Sequence, residues 1–180
     1  MDGDLGSGMN GSVNEDLVRR LVESSELHGE FVLSSGRRST VYFDKFRFLT
    51  RPDLLRDLAH EVAGLLPEGT DHLAAPEGAA TLLVAAVTLE TGLPVAVIRK
   101  EPKAYGTLSQ VEGHAPAGAR AALLEDVSTT GHQVAAAAKV LEAAGVDVTR
   151  IVLAIDRGGA DHLRRAGYDV AAVAVLRPME

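Results

Sequence analysis

Two adjacent carboxylates, Glu125 and Asp126, close the apolar run AALLE and are followed within five residues by Ser128, Thr129, Thr130 and Gly131. Like charges side by side need a partner that rewards both. A pair of carboxylates can accept hydrogen bonds from vicinal hydroxyls, as on a ribose, or hold a metal ion that a ligand already carries. The segment after them begins a helix, and a helix start offers unpaired N–H groups. With the Thr129 and Thr130 hydroxyls and the permissive Gly131, these form a cradle for a phosphate. A ribose phosphate satisfies both halves of the stretch. The alternative is a solvated corner followed by an ordinary helix cap.

A second chemical cluster lies in IRKEPKAYGTLSQVEG, where Arg99, Lys100 and Lys103 place three cations within five residues. Such a cluster can neutralise a diphosphate, and its alternative is a solvated basic loop. Its local character matters because the whole chain carries a formal charge of −7. That balance argues against broad nucleic-acid binding, so an anionic ligand needs a local positive site. The six histidines, among them His28, His60 and His114, show no metal-ligand spacing. The chain has no G-x-x-x-x-G-K-[ST] loop, no strand-linked G-x-G-x-x-G and no G-x-S-x-G elbow, which excludes the P-loop, dinucleotide and serine-hydrolase readings.

The elements that position these residues follow from hydropathy patterning. At 180 residues, 46% hydrophobic and 24% charged, the chain suits one globular domain that buries roughly 70% of its unfolded surface. It has no cysteine, so disulfides and thiolate metal sites are excluded. No basic and apolar leader precedes it, and no run approaches the ~18 apolar residues of a membrane span. A soluble, cytoplasmic protein is expected.

Residues 1–12, rich in Gly and Ser, read as a disordered leader, and residues 13–180 as the domain. Asn14 caps a helix that the spacing of Leu17, Val18, Leu21 and Val22 carries to about Leu27. EFVLS and TVYFD read as short strands joined by a turn at Ser35, Gly36 and Arg37. A helix follows, with Thr50 and Asp53 as a capping box, Pro52 in its first turn, and Leu55, Leu58, Val62 and Leu65 along one face. Beyond Gly69 the chain alternates: HLAA, a helix over 78–90, PVAVI, AALLE, a helix over 132–144, RIVLAI, a short helix and DVAAVAV. Strands apolar on both faces alternating with helices predict an α/β fold with a parallel sheet covered on both sides. Ligands of such sheets bind beyond the carboxyl ends of the strands, where Glu125 and Asp126 are expected to fall.

LLEDVSTTG resembles the phosphoribosyl-diphosphate signature of the type I phosphoribosyltransferases. FVLSSGRRSTVYFD, IRKEPKAYGT, VEG and AIDRGGA occur in the order and spacing of orotate phosphoribosyltransferase, a resemblance spanning about Leu17 to Val175. It implies a central, mostly parallel sheet flanked by helices, with a small N-terminal hood over 13–45. It further implies transfer of 5-phosphoribose from phosphoribosyl diphosphate to orotate with Mg²⁺, giving orotidine 5′-monophosphate and pyrophosphate, in a homodimer with shared active sites.

Carried over residue by residue, the resemblance makes Arg99, Lys100, Lys103, Glu125, Asp126, Ser128, Thr129, Thr130, Gly131, His132 and Gln133 contacts of phosphoribosyl diphosphate. Lys103 and Asp126 become the catalytic pair, and Lys103 sits on a mobile loop reaching the neighbouring subunit. Thr129 and Arg157 contact the base, Arg157 because a guanidinium grips the carboxylate that distinguishes orotate from uracil. AAPEGAATLL resembles the pyrophosphate loop. The chain departs from the family pattern at Ala79, where a second glycine is usual, and at Tyr105, where many members have His. It departs again at His132 and Gln133, where small residues are usual, and at Ser34, where some have Lys. A transferase for another base and a non-catalytic phosphoribosyl-diphosphate-binding regulator are the alternatives.

Overall fold

The structure is a computed structural model and describes residues 14–32, 36, 38–102 and 109–176. Asn14 caps helix α1, Glu15–Ser25, by accepting the N–H of Leu17 through its side chain. The helix stops two residues before the expected Leu27, because Glu26 and Leu27 already pair with Phe43 and Tyr42. That pairing joins strands β1, Glu26–Val32, and β2, Arg38–Phe43, into a separate two-stranded antiparallel sheet.

The expected capping box at Thr50 does not form. A one-turn helix α2, Phe46–Leu49, precedes it, and Thr50 is the C-cap of that helix, donating its hydroxyl to Phe46 O at 2.6 Å. Helix α3, Pro52–Gly64, therefore starts from Arg51, while the Asp53 carboxylate takes the Arg51 guanidinium at 2.7 Å. Pro52 fits the first turn, where its missing N–H costs nothing.

The main sheet has the order β5-β4-β3-β6-β7-β8. Its strands are β3, His72–Pro76; β4, Val95–Ile98; β5, Val111–Gly113; β6, Arg120–Ser128; β7, Asp147–Asp156; and β8, Val170–Val175. All pair in parallel except the edge strand β5, which runs antiparallel to β4. Three residues of VEG are too few for a period, so this strand leaves no mark in the hydropathy pattern. Helix α4, Ala80–Thr91, follows β3, α5, His132–Ala143, follows β6, and α6, Ala160–Arg165, follows β7.

The two faces of the sheet carry two cores. One joins Leu17, Leu21, Phe48 and Leu58 with Leu83, Leu124 and Val152; the other joins Leu123, Val134, Leu141, Leu153 and Leu163. Strands apolar on both faces are what this double cover requires. The N-terminal helix thus shares a core with the sheet through residues that are wholly buried. Among the described residues no helix is long and apolar enough to cross a membrane.

Strand β3 lies between β4 and β6, so the chain leaves it on one side for β4 and later returns on the other for β6. The crevice beyond the carboxyl ends of β3 and β6 is the topological switch point where open α/β sheets take ligands.

Candidate functional site

The carboxyl end of β6 carries the acidic pair, but deeper than the sequence implies: β6 continues to Ser128, and Glu125 and Asp126 lie inside it. Asp126 is wholly buried and Glu125 is 7% exposed. A charge in that position needs compensation. Lys45, just beyond β2, supplies it: its Nζ lies 3.0 Å from both Asp126 carboxylate oxygens. Asp126 Oδ1 also accepts the Val127 N–H at 2.5 Å, and Glu125 Oε1 accepts the Asp126 N–H at 3.1 Å. Burial, then the Asp126 charge beside it, pushes the Glu125 carboxyl up to about 8.

The segment beyond β6 turns on Gly131, the N-cap of α5, at φ 76°. Two constraints fix glycine there. The left-handed backbone disfavours any side chain, and a Cβ would stand 2.6 Å from Gly159 O. Thr129, Thr130, His132 and Gln133 are exposed around this turn, which sets two hydroxyls beside the start of α5. Ser128 differs from them: it is 4% exposed, its side chain lies against Gly159, and its carbonyl accepts the Arg157 N–H at 2.8 Å. The His132 ring packs 4.3 Å from that of His162 on α6, centroid to centroid.

Arg157 follows β7 directly, and the backbone that presents it is tied down by Asp156. The Asp156 carboxylate accepts the N–H groups of Gly158 at 2.9 Å and Ala160 at 3.1 Å. The guanidinium carbon of Arg157 sits 4.9 Å from the centre of the Phe43 ring, a cation–π distance. Phe43 ends β2 and packs near Phe48 at 6.4 Å. The small sheet thus brings an aromatic face and a lysine to the ends of β6 and β7.

Beyond β3, Glu77 faces the basic segment. Its Oε1 accepts the Lys100 N–H at 2.8 Å, and Oε2 lies 3.9 Å from Arg99 Nη1. The carboxylate thereby meets one backbone N–H and one guanidinium of its own chain. Gly78 follows at φ 114°. Gln110 donates from Nε2 to Arg99 O at 2.9 Å and Lys100 O at 3.0 Å, fixing the base of the loop. Arg99, Lys100, Gln110 and Gln133 line a cavity of about 150 Å³ with Pro76 and Val140. Lys103, Tyr105, Ser34 and Ser35 lie outside the described residues.

The structure brings Glu125, Asp126, Thr129, Thr130 and Gly131 together on one strand–turn–helix unit, and Arg157 onto the adjoining strand end. Lys45 and Phe43 were not among the residues singled out from sequence. Lys45 did carry a signal, being the only lysine before Lys100 in a stretch that otherwise uses arginine.

No family model matches the chain. Individual proteins do. The orotate phosphoribosyltransferase of Thermococcus gammatolerans is 41% identical over 158 residues, 84% of each chain. The crystal structure of orotate phosphoribosyltransferase from Aeropyrum pernix aligns with a TM-score of 0.76 at 36% identity, covering 89% of this chain and 93% of that one. The Leishmania donovani UMP synthase aligns with a TM-score of 0.77 at 33% identity over 93% of this chain, which spans only 37% of that longer protein. The carboxylate–threonine–glycine turn at the switch point and the length of these alignments place the chain in the orotate phosphoribosyltransferase family.

Proposed function

We propose that this chain transfers 5-phosphoribose from phosphoribosyl diphosphate to orotate, forming orotidine 5′-monophosphate and pyrophosphate for UMP synthesis. The observation that carries it is the buried, lysine-paired Asp126 within five residues of the Gly131 turn, in a chain of this family. The bond from the anomeric carbon to the diphosphate breaks and a bond to a ring nitrogen of the base forms, with positive charge growing on the ribose ring between the two events. No protein nucleophile is needed.

Thr129, Thr130 and the α5 N–H groups would hold the 5′-phosphate. Glu125 and Asp126 would accept the ribose hydroxyls once the Lys45 side chain, 39% exposed, turns aside. The Asp126 charge favours the cationic ring. Arg157 would grip the base carboxylate over the Phe43 ring, and Arg99, Lys100 and Lys103 would meet the departing pyrophosphate. Magnesium fits this arrangement as a passenger on the substrate, because among the described residues no group of three or more His, Asp or Glu side chains could hold an ion. When bound, the ion neutralises diphosphate charge and eases its departure.

The test offers orotate, uracil and purines separately with phosphoribosyl diphosphate and Mg²⁺, and follows pyrophosphate release and base loss. Turnover with orotate is expected. Turnover only with another base would reassign the substrate, and none with any base would favour a binding protein. Arg157→Ala should raise the orotate KM about ten- to a hundredfold, the worth of one charge-assisted bond, while phosphoribosyl diphosphate affinity stays near wild type. Equal losses for both substrates would make Arg157 structural.

The reading includes a cytoplasmic homodimer with shared sites. Helix α4 supports it: besides its buried face it turns Leu82 and Leu89, 37% and 87% exposed, away from the core. Large apolar side chains on an outward face suit a second cover. Lys103→Ala and Asp126→Asn proteins, each strongly impaired and then mixed, should regain partial activity as heterodimers carry one intact site. Proven subunit exchange without recovery would count against sharing.

A further inference from the structure

Lys45 belongs to neither the acidic motif nor the basic loop, yet among the described residues its ammonium is the one cation that an ion pair brings to the Asp126 carboxylate. The two residues lie 81 positions apart. The lysine is held where it can act. Its neighbour Asp44 donates its N–H to Ser25 O at 2.9 Å and accepts the Phe46 N–H at 3.0 Å through its side chain. Just beyond, Phe48 and Leu49 anchor α2 with 0% and 1% exposure. The Lys45 backbone is thus fixed on both sides, and only its stem is free to turn.

Asp126 needs such a partner. It is wholly buried next to a second carboxyl, and its Oδ2, lacking any well-directed hydrogen bond, lies 3.0 Å from the ammonium. Without that cation the buried carboxylate would lose the opposite charge that compensates it and fixes its orientation. The ammonium suits a temporary partner better than a guanidinium would, being a point charge on a flexible stem. Its partial exposure gives it a place in water when it leaves.

We infer that Lys45 is a positioning residue for the transfer reaction, holding the buried Asp126 carboxylate in a single rotamer until the ribose arrives. The inference rests on the phosphoribosyl-transfer reading. Lys45 acts through Asp126 and not on the base, so its loss should fall on phosphoribosyl diphosphate and spare orotate.

The test is a double-mutant cycle with Lys45→Met and Asp126→Asn, read as kcat/KM for phosphoribosyl diphosphate and as its calorimetric affinity with Mg²⁺. Lys45→Met alone should lower kcat/KM about tenfold, the loss expected when one charge-assisted contact on Asp126 is removed. In the Asp126→Asn background the same change should matter less than about twofold, since nothing is left for the lysine to hold. Lys45→Arg should restore most of the loss, and the orotate KM should stay at its wild-type value. Equal losses in both backgrounds would overturn the inference and make Lys45 a direct substrate contact; unchanged or higher kcat/KM in Lys45→Met would overturn it outright. Should Lys45→Met not fold, Lys45→Gln takes its place, keeping a polar end without the charge. If the wild type turns over no base, the transfer reading fails, and the same four proteins still decide the Lys45–Asp126 coupling through calorimetric affinity.

Discussion

Asp126→Asn should lower kcat/KM for phosphoribosyl diphosphate by about 10²–10³, the loss seen when one preorganised electrostatic partner of a transition state is removed. The size follows from where the charge sits. A unit charge about 5 Å from a developing cation, at an effective dielectric of about 20, contributes roughly 3 kcal/mol. Asp126 is wholly buried, so solvent screens that attraction weakly. Asparagine keeps the shape of the side chain and its acceptor oxygen for the Val127 N–H, and it removes only the charge. Lys45, partly exposed, can turn to water, so the fold should survive with little change in melting temperature. Steady-state kinetics and thermal unfolding of the same preparation check this together. A fall of less than threefold with unchanged stability would remove Asp126 from the reaction.

The difference between Asp126 as read from sequence and as placed in the fold shows what patterning can and cannot reach. The apolar run, the acidic pair and the threonine–glycine turn are local, and their periods identify β6, the turn and α5. Gly131 was legible because a left-handed turn admits few residues, and the fold adds a second reason in Gly159 O. The depth of the carboxylates was not legible. Strand β6 runs three residues past Glu125 to Ser128, and a strand that stays apolar on both faces gives no sign of where burial ends. Lys45 and Phe43 reach the site only because β2 and α2 pack over the ends of β6 and β7. Helix α2 is a single turn of FRFL, too short for periodicity, and it converts Thr50 from the start of one helix into the end of another. Long-range contacts of this kind depend on packing, and a linear pattern carries no record of them.

Glu125 titrates over the range in which the protein would work, and its effect on stability has a definite sign. Burial and the neighbouring Asp126 charge raise its carboxyl from 4.5 to about 8, so the folded chain keeps a proton that the unfolded chain releases. Stability from this group is complete below pH 4.5, declines as pH rises and is lost through pH 8. Glu125→Gln carries a neutral isostere and lacks that slope. The variant should therefore gain on the wild type between pH 5 and pH 9 by on the order of 3–5 kcal/mol. Asp16, Asp53 and Asp71, whose carboxyls are held below their ordinary value by Arg19, Arg51 and His72, are ionised throughout that window. His60, raised by Glu90, contributes equally to both proteins and cancels in the difference. Denaturant unfolding of the two proteins at pH 5, 7 and 9 measures it. Kinetics supply an independent reading, because kcat/KM reports groups of the free protein: with phosphoribosyl diphosphate varied, the wild type should gain activity through a limb near pH 8 as Glu125 ionises, and the limb should be missing in Glu125→Gln. A stability difference that stays constant from pH 5 to pH 9 would mean that Glu125 is already ionised in the folded protein, with Lys45 serving both carboxylates.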